Sequence, residues 1–183
     1  RALWEACDAM CIPSGAAIAE YAPGQLEVTL AHKPDALAAC DDAIRFKRAA
    51  KGVAATMGRT ATFMAKPFAD QSGSGLHIHV SMDDKPGHNI FASEALDGTP
   101  ELRHAIGGAC AFAADSMAFF APNANSYRRF RRNSYAPVRA GWGTNNRTVP
   151  LRVPAGPPSS RHIEHRICGA DANPYLAVAA VLA

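Results

Sequence analysis

The segment formed by residues 66–82, KPFADQSGSGLHIHVSM, constrains the fold most because a glycine- and serine-rich turn leads directly into a short alternating strand. Side chains two residues apart on a strand point to the same face, so His77, His79 and Ser81 are predicted to share one face. Imidazole is a common ligand for divalent metals, although an H-x-H pair by itself is a weak signal. The pattern predicts a loop that feeds a polar strand face at a binding site.

The order of predicted elements defines the fold class. Helices are predicted at 1–12, 34–57, 99–120 and from 173 onward, and strands at 17–31, 61–64, 76–82, 140–142, 149–153 and 162–167. Strands and helices alternate without βαβ regularity, which predicts an α+β domain with a mostly antiparallel sheet.

The overall composition limits the class of protein. The chain has 183 residues, of which 48% are hydrophobic, enough for one domain with a proper core. No apolar run approaches the roughly 20 residues of a membrane helix. The five cysteines show no C-x-x-C spacing, which predicts buried thiols and a cytoplasmic location. Because the chain begins at Arg1 and stops in mid-pattern, we expect it to be a piece of a longer protein.

Positive charge is concentrated in the second half of the chain. Residues 121–166 contain nine arginines and one acid, Glu164, so this segment is predicted to attract anions. Guanidinium groups match carboxylate and phosphate oxygens, which favours phosphoryl chemistry. There is no G-x-x-x-x-G-K-[ST] loop, so a P-loop ATPase is not expected. The segment RRFRR raises the alternative of a nucleic-acid binder, but no recognisable module accompanies it.

Three carboxylates are candidate metal ligands. Glu20 and Glu27 flank a Pro-Gly turn in EYAPGQLE, where a cation could sit between them. The alternative is that both are solvated residues beside a turn. In RHIEHR, strand alternation places His162, Glu164 and Arg166 on one face. Glu164 is then either a salt-bridged structural residue or a metal ligand beside an anion site.

Four sequence blocks, in order, resemble the catalytic domain of the glutamine synthetases. They are EYAPGQLE, ATFMAKPFADQSGSGLHIHVS, NSYRRF…YAPVRAGWGTNNRTVPLRVP and RHIEHRICGADANPYLAVAAVLA, and they cover nearly the whole chain. The motifs YRRF, YAP, WGTNNRT and GADANPYL are similar to the corresponding sequences of members that use amines instead of ammonia. The resemblance implies a curved, mostly antiparallel sheet flanked by helices.

The resemblance also implies an activity and its site. Family members are ATP-dependent carbon–nitrogen ligases with two or more Mg²⁺ or Mn²⁺ ions. Glutamate takes the γ-phosphoryl group of ATP, and a nitrogen nucleophile then displaces phosphate. Carried over by position, the implied roles are one metal site at Glu20 and Glu27, a second at His77 and Glu164, nucleotide contacts at His79, Ser81, Arg147 and Arg152, glutamate contacts at Gly73, Arg129 and Arg166, and transition-state stabilisation by Arg147.

One departure from the family pattern bears on the acceptor. Ammonia-using relatives carry a glutamate on an active-site flap where this chain has Tyr135. A tyrosine lacks the carboxylate that would bind ammonium but can pack against an organic amine, so Tyr135 is predicted to act in the active site and an amine acceptor is favoured. The alternatives are a true glutamine synthetase and a non-catalytic relative on the same fold. Further departures are Ser72, Ser159 and Gly15, where relatives often carry asparagine, lysine and an acid.

The resemblance finally implies that parts of the enzyme lie outside this chain. Family members have a small N-terminal domain and further catalytic-domain segments on both sides. Their active sites form between subunits of stacked rings, so we expect a homo-oligomer. Residues 1–183 alone are predicted to be inactive.

Overall fold

A computed structural model describes all residues, 1–183. The helices are α1 (Ala2–Ala9), α2 (Ala36–Thr56), α3 (Pro100–Phe112), α4 (Met117–Phe120), α5 (Ala124–Tyr127) and α6 (Pro174–Leu182). The strands are β1 (Ser14–Ala19), β2 (Leu26–Leu30), β3 (Ile78–Val80), β4 (Trp142–Thr144), β5 (Leu151–Val153) and β6 (Ile163–His165), and a short 3₁₀ helix covers Pro158–Ser160.

The strands form a separate hairpin and a four-stranded sheet. β1 and β2 pair antiparallel through the turn that contains Gly24, whose φ is +74°. In the sheet the order is β3-β6-β5-β4, and β6 pairs antiparallel with both β3 and β5. Only the β4–β5 pair is parallel. The prediction of an α+β fold with a mostly antiparallel sheet is confirmed, and β6 lies inside the sheet with a neighbour on each side.

Two apolar clusters cover one face of the sheet and the segment that follows it. The first joins α3 to β5 and β6, and its buried members are Phe91, Leu102, Ile106, Leu151, Val153 and Ile163. The second surrounds the chain after β6 and its buried members are Ala113, Phe120, Ile167, Cys168, Ala172 and Ala177. With Ile163 in one cluster and Ile167 in the other, the opposite face of β6 is left for polar side chains.

Local capping explains where three helices begin. Asp35 accepts hydrogen bonds from two backbone N–H groups at the start of α2. Thr99 caps α3, and Asn173 caps α6 with Pro174 in the first turn. These side chains satisfy N–H groups that have no partner within the helix. The prediction that Asn173 and Pro174 start the last helix is confirmed.

Several predicted boundaries were wrong. The segment 61–64 forms no strand, because no neighbouring chain pairs with it. The helix predicted to reach Phe120 ends at Phe112 and is followed by a turn before α4. Within the segment 17–31, the strand predicted after the Pro-Gly turn is confirmed as β2, and the residues before that turn belong to a further strand, β1. No helix of the chain is both long and apolar enough to cross a membrane.

Candidate active site

Glu164 lies at the centre of the polar face of the sheet. Register places it between His79 on β3 and Arg152 on β5, and its side chain is only 4% exposed. Glu164 Oε2 accepts a hydrogen bond from Arg152 Nη1 at 2.7 Å, and Oε1 accepts one from Arg166 Nη1. His77 Nδ1 lies 3.1 Å from Oε1. We call Glu164, His77, Arg152 and Arg166 the Glu164 cluster.

The surroundings of Glu164 keep it ionised. Burial by itself would raise the pKa of its carboxyl group, but hydrogen bonds from His77 and Arg152 and the charge of Arg166 hold the pKa well below its ordinary value. Arg152 is fixed in turn by Asn145 Oδ1, which accepts from Nη2 at 2.7 Å. The Glu164 cluster therefore presents a permanent negative charge surrounded by positive groups.

Two histidines form a chain of hydrogen bonds at the edge of this face. His162 Nδ1 lies 2.6 Å from the Ser160 carbonyl oxygen, and His162 Nε2 lies 2.9 Å from His79 Nδ1. Because a carbonyl only accepts, His162 Nδ1 carries the proton. In the neutral imidazole Nε2 then accepts from His79 Nδ1. Desolvation by the surrounding protein lowers the pKa of His79 to about 4, although the residue as a whole is exposed, so its Nε2 is left with a free lone pair.

The glycine loop, formed by residues 66–75, is held tightly against the chain after β6. Ser74 donates its N–H to the Ala65 carbonyl oxygen at 2.8 Å, and its own carbonyl oxygen accepts from Ala170 N–H at 3.0 Å. A Cβ on Gly73 would lie 2.7 Å from both the Ala65 carbonyl oxygen and Arg129 Cγ. Only glycine fits there, and the Gly73 N–H has no hydrogen-bond partner in the chain.

Arg129 is buried directly beneath this loop. Its Nη2 donates to the carbonyl oxygens of Ile167 and of Cys168, the latter at 2.8 Å. Its Nε has no partner although it is buried, and burial lowers its pKa to about 10. The guanidinium group thus supports the backbone that follows β6, with part of its hydrogen-bonding capacity unused.

The hairpin carries the two other predicted metal ligands. Glu20 lies opposite Gln25 in the β1–β2 ladder, and Glu27 lies opposite Ile18, so Glu20, Gln25 and Glu27 share one face. Gln25 Nε2 donates to the Gly73 carbonyl oxygen at 2.9 Å. The acidic face of the hairpin is therefore the face that is tied to the glycine loop.

Tyr135 lies on an irregular loop that contacts the hairpin turn. Its φ is +55°, a conformation that bulky residues rarely adopt. Its ring stacks on that of Tyr21, with centroids 5.6 Å apart and an angle of 22° between the planes. The neighbouring Tyr135 raises the pKa of the Tyr21 phenol, and the positive charge of Arg147 acts in the opposite direction. Arg147 is exposed and makes no ion pair or hydrogen bond.

The chain gathers only some of the residues predicted for the site. His77, Glu164, Arg152 and Arg166 meet, whereas Ser81 makes no side-chain hydrogen bond. No three histidine, cysteine, aspartate or glutamate side chains come close enough to hold a metal ion. The assignments of Glu20, Glu27 and the other site residues therefore stay predictions.

Sequence reasoning gave no role to three residues that shape this site. Gln25 fastens the hairpin to the loop, His162 orients His79, and Asn145 orients Arg152. Strand alternation placed His162 on the same face as Glu164, and this was the one sequence pattern that indicated a place for His162 in the site. The Gln25 and Asn145 contacts join distant parts of the chain and leave no local pattern.

Two atoms of the Glu164 cluster have the spacing of neighbouring ligands of a divalent cation. Adjacent ligands of an octahedral Mg²⁺, each about 2.1 Å from the ion, lie about 3 Å apart, close to the 3.1 Å between His77 Nδ1 and Glu164 Oε1. Arg166 Nη1 also lies 3.4 Å from His77 Nδ1. Arg166 Nη1 therefore contacts both atoms, and a cation that bound them would have to displace this guanidinium group.

Comparison with known proteins identifies the family. The model of the glutamine synthetase catalytic domain matches residues 1–183. The chain belongs to the glutamine synthetase family.

The chain is similar to three known members of the family. It is 46% identical over 172 residues to gamma-glutamylputrescine synthetase PuuA of Escherichia coli (strain K12). The aligned region covers 94% of this chain and 36% of that protein. It is 44% identical over 165 residues to a glutamate–isopropylamine ligase of Pseudomonas sp, covering 89% and 36%. The solved structure described as "GmaS/ADP complex-Conformation 1" superposes with a TM-score of 0.86 at 32% identity, covering 98% of this chain and 42% of that one. The chain thus spans just over a third of the length of the two curated relatives.

Proposed function

We propose that the full-length protein is an ATP-dependent ligase that joins the side-chain carboxylate of glutamate to an organic amine through γ-glutamyl phosphate. Family membership supports the ligase chemistry. Two relatives that share 46% and 44% of the aligned residues are named for the amines putrescine and isopropylamine, which supports an amine acceptor.

The observation that carries the choice of acceptor is the pair formed by Tyr135 and Tyr21. Both rings are substantially exposed, at 49% and 72%, and they stack where ammonia-using relatives are expected to carry a carboxylate. Exposed aromatic rings bind the carbon chain of an amine and attract a cationic nitrogen. They provide no base for ammonium, so this surface favours an organic amine over ammonia.

The Glu164 cluster is assigned to the metal and nucleotide end of the site. His77 and Glu164 would hold one divalent cation, and Glu20 and Glu27 would contribute to another. When bound, such cations would offset the negative charge of the ATP phosphates. Arg152 is assigned to the nucleotide together with His79 and Ser81, and its bond to Glu164 also orients that carboxylate.

The glutamate end of the site is assigned to the glycine loop. The unpaired Gly73 N–H can donate to a carboxylate oxygen of the substrate. Arg166 is assigned to the substrate carboxylate and Arg129, largely buried, to the wall behind it. Arg147 is free of ion pairs and exposed, so its guanidinium group is available to stabilise the transferring phosphoryl group.

The setting of the enzyme is also part of this proposal. We assign a homo-oligomer with active sites shared between subunits, no nucleic-acid partner and a cytoplasmic location. All five cysteines are free, which supports a reducing compartment. Residues 1–183 alone are expected to show no ATP- and glutamate-dependent turnover, since they span only 36% of the length of two curated relatives.

The test is phosphate release by the full-length enzyme with ATP, glutamate and each of ammonia, methylamine, ethanolamine, putrescine and longer polyamines. At least one organic amine should give a higher kcat/KM than ammonia. Turnover with ammonia alone would make the protein a true glutamine synthetase. No turnover and no Mn²⁺ binding would make it a non-catalytic relative.

Variants of Tyr135 show whether the aromatic pair selects the acceptor. Tyr135→Phe keeps the ring and should keep the amine preference. Tyr135→Glu restores a carboxylate and should raise the ratio of ammonia to amine turnover. If the two variants have the same ratio, Tyr135 does not select the acceptor.

A further inference from the structure

We propose that the acceptor amine carries a negatively charged group at its far end, as an ω-amino acid does, and that the arginines around the Tyr135 loop bind this group. The inference rests on the proposed function and names the substrate class of the same site. It follows from the charges that line one cavity.

The cavity opens beside Tyr135 and has a volume of about 650 Å³, within the range of small-molecule sites. Its lining comes from two stretches, 131–141 and 148–150. Three arginines line it, Arg131, Arg132 and Arg139, and no acidic residue does. Its interior is therefore electropositive.

Two of these arginines have nothing in the chain to neutralise them. Arg131 Nη1 donates to the Ala69 carbonyl oxygen at 2.9 Å. Arg132 and Arg139 make no ion pair and no side-chain hydrogen bond. A carboxylate entering the cavity would gain charge-assisted hydrogen bonds from these guanidinium groups, whereas a second ammonium group would be repelled.

The cavity adjoins the residues assigned to the reaction. Tyr135 belongs both to its lining and to the aromatic pair with Tyr21. Thr148 in the wall directly follows Arg147, and the Arg131 bond to Ala69 fixes another wall to the glycine loop. An acceptor whose nitrogen passes the aromatic pair can thus leave its other end among the arginines.

The reaction itself is unchanged by this assignment. The lone pair of the uncharged amine attacks the γ-carbonyl carbon of γ-glutamyl phosphate and forms the C–N bond. The C–O bond to phosphate breaks, phosphate leaves with the electron pair, and the nitrogen loses one proton to water.

The test uses three acceptors with the same four-carbon chain and different far ends: 4-aminobutyrate, n-butylamine and putrescine. Phosphate release by the full-length enzyme with ATP and glutamate should give the highest kcat/KM for 4-aminobutyrate, at least tenfold above that for putrescine. The kcat/KM for n-butylamine should lie between these two values. The γ-glutamyl product is identified by mass spectrometry. A higher kcat/KM for putrescine would overturn the proposal.

A charge reversal shows whether the arginines cause the order. Arg139→Glu should lower the ratio of 4-aminobutyrate to n-butylamine turnover at least tenfold. Arg48→Glu is the matched control, because Arg48 is also exposed but lies on α2, outside the cavity; it should leave the ratio unchanged. If Arg139→Glu also leaves the ratio unchanged, the cavity does not bind the charged end of the acceptor.

Two other outcomes separate this inference from the proposed function. If ammonia is the only acceptor, both fail. If 4-aminobutyrate alters turnover of another amine but yields no γ-glutamyl product, the cavity binds an anionic effector. The assignment of the acceptor is then wrong while the amine-ligase function stands.

Discussion

The Glu164 cluster and the β1–β2 hairpin both carry predicted metal ligands, but the chain supports them very differently. Glu164 lies in the middle of a sheet, and both of its oxygens have partners within the chain. In the hairpin five of the six residues of β1 are exposed. Ile18 and Leu26 are more than half exposed. The first site is organised by the chain's own packing, whereas the hairpin is held at one end by Leu30, which packs against a small buried cluster near α1, and at the turn by the Gln25 and Tyr21 contacts.

This difference shows that residues of one proposed site can contribute very unequally to the stability of the fold. A buried ion pair that loses one partner leaves an uncompensated charge. An exposed carboxylate loses almost nothing when neutralised. Variants in the two regions should therefore differ in the free energy of unfolding, although variants of either region should lose metal binding.

The largest expected effect is that of Glu164→Gln. The change leaves Arg152 and Arg166 without their counter-charge, so the free energy of unfolding should fall by about 3–5 kcal/mol. Glu27→Gln, on the exposed hairpin, should change it by less than about 0.5 kcal/mol. Urea unfolding of the full-length protein measures both. Equal losses would contradict the contrast between the two regions.

The next effect concerns the loop beneath the site. Gly73→Ala places a methyl group 2.7 Å from the Ala65 carbonyl oxygen, and the forced shift should cost about 1–3 kcal/mol. Gly52→Ala is the matched control, because Gly52 lies in α2 with no atom within 4 Å of an added Cβ. It should stabilise the helix by roughly 0.5–1 kcal/mol. A neutral Gly73→Ala would show that the loop is not tightly packed.

The smallest effect concerns the link between the two regions. Gln25→Ala removes the hydrogen bond to the Gly73 carbonyl oxygen and should cost about 1 kcal/mol. Hydrogen exchange should accelerate in β1 and β2 but not in β6, which has other partners on both sides. Uniform acceleration over both regions would mean that the hairpin and the sheet unfold together.

The sequence predicted those parts of the fold that depend on local chemistry. Asn173 caps α6, and alternation in β6 sends Ile163 into the core and Glu164 to the polar face. The strand at 61–64 failed because a strand needs a partner that local sequence does not reveal. Leu37 and Ile44, apolar at helical spacing in α2, are both exposed, since periodicity identifies a helix without showing what covers it.

The same limit applies to the candidate site. Residue types and the family resemblance placed His77, Arg152 and Glu164 in one site, and the structure brings them together. The stacking of Tyr135 on Tyr21 and the bond from Gln25 to Gly73 join distant segments. Such contacts follow from the tertiary fold, so composition and spacing could not predict them.

The central claim is that the Glu164 cluster and the hairpin hold different cations of one active site. Titration of Mn²⁺ into the full-length protein tests this most directly, by counting the ions bound per subunit. We predict two or more ions, with one lost in His77→Ala and a different one lost in Glu27→Gln, so that the double variant loses both. If either variant retains every ion, or if both lose the same one, the claim is wrong.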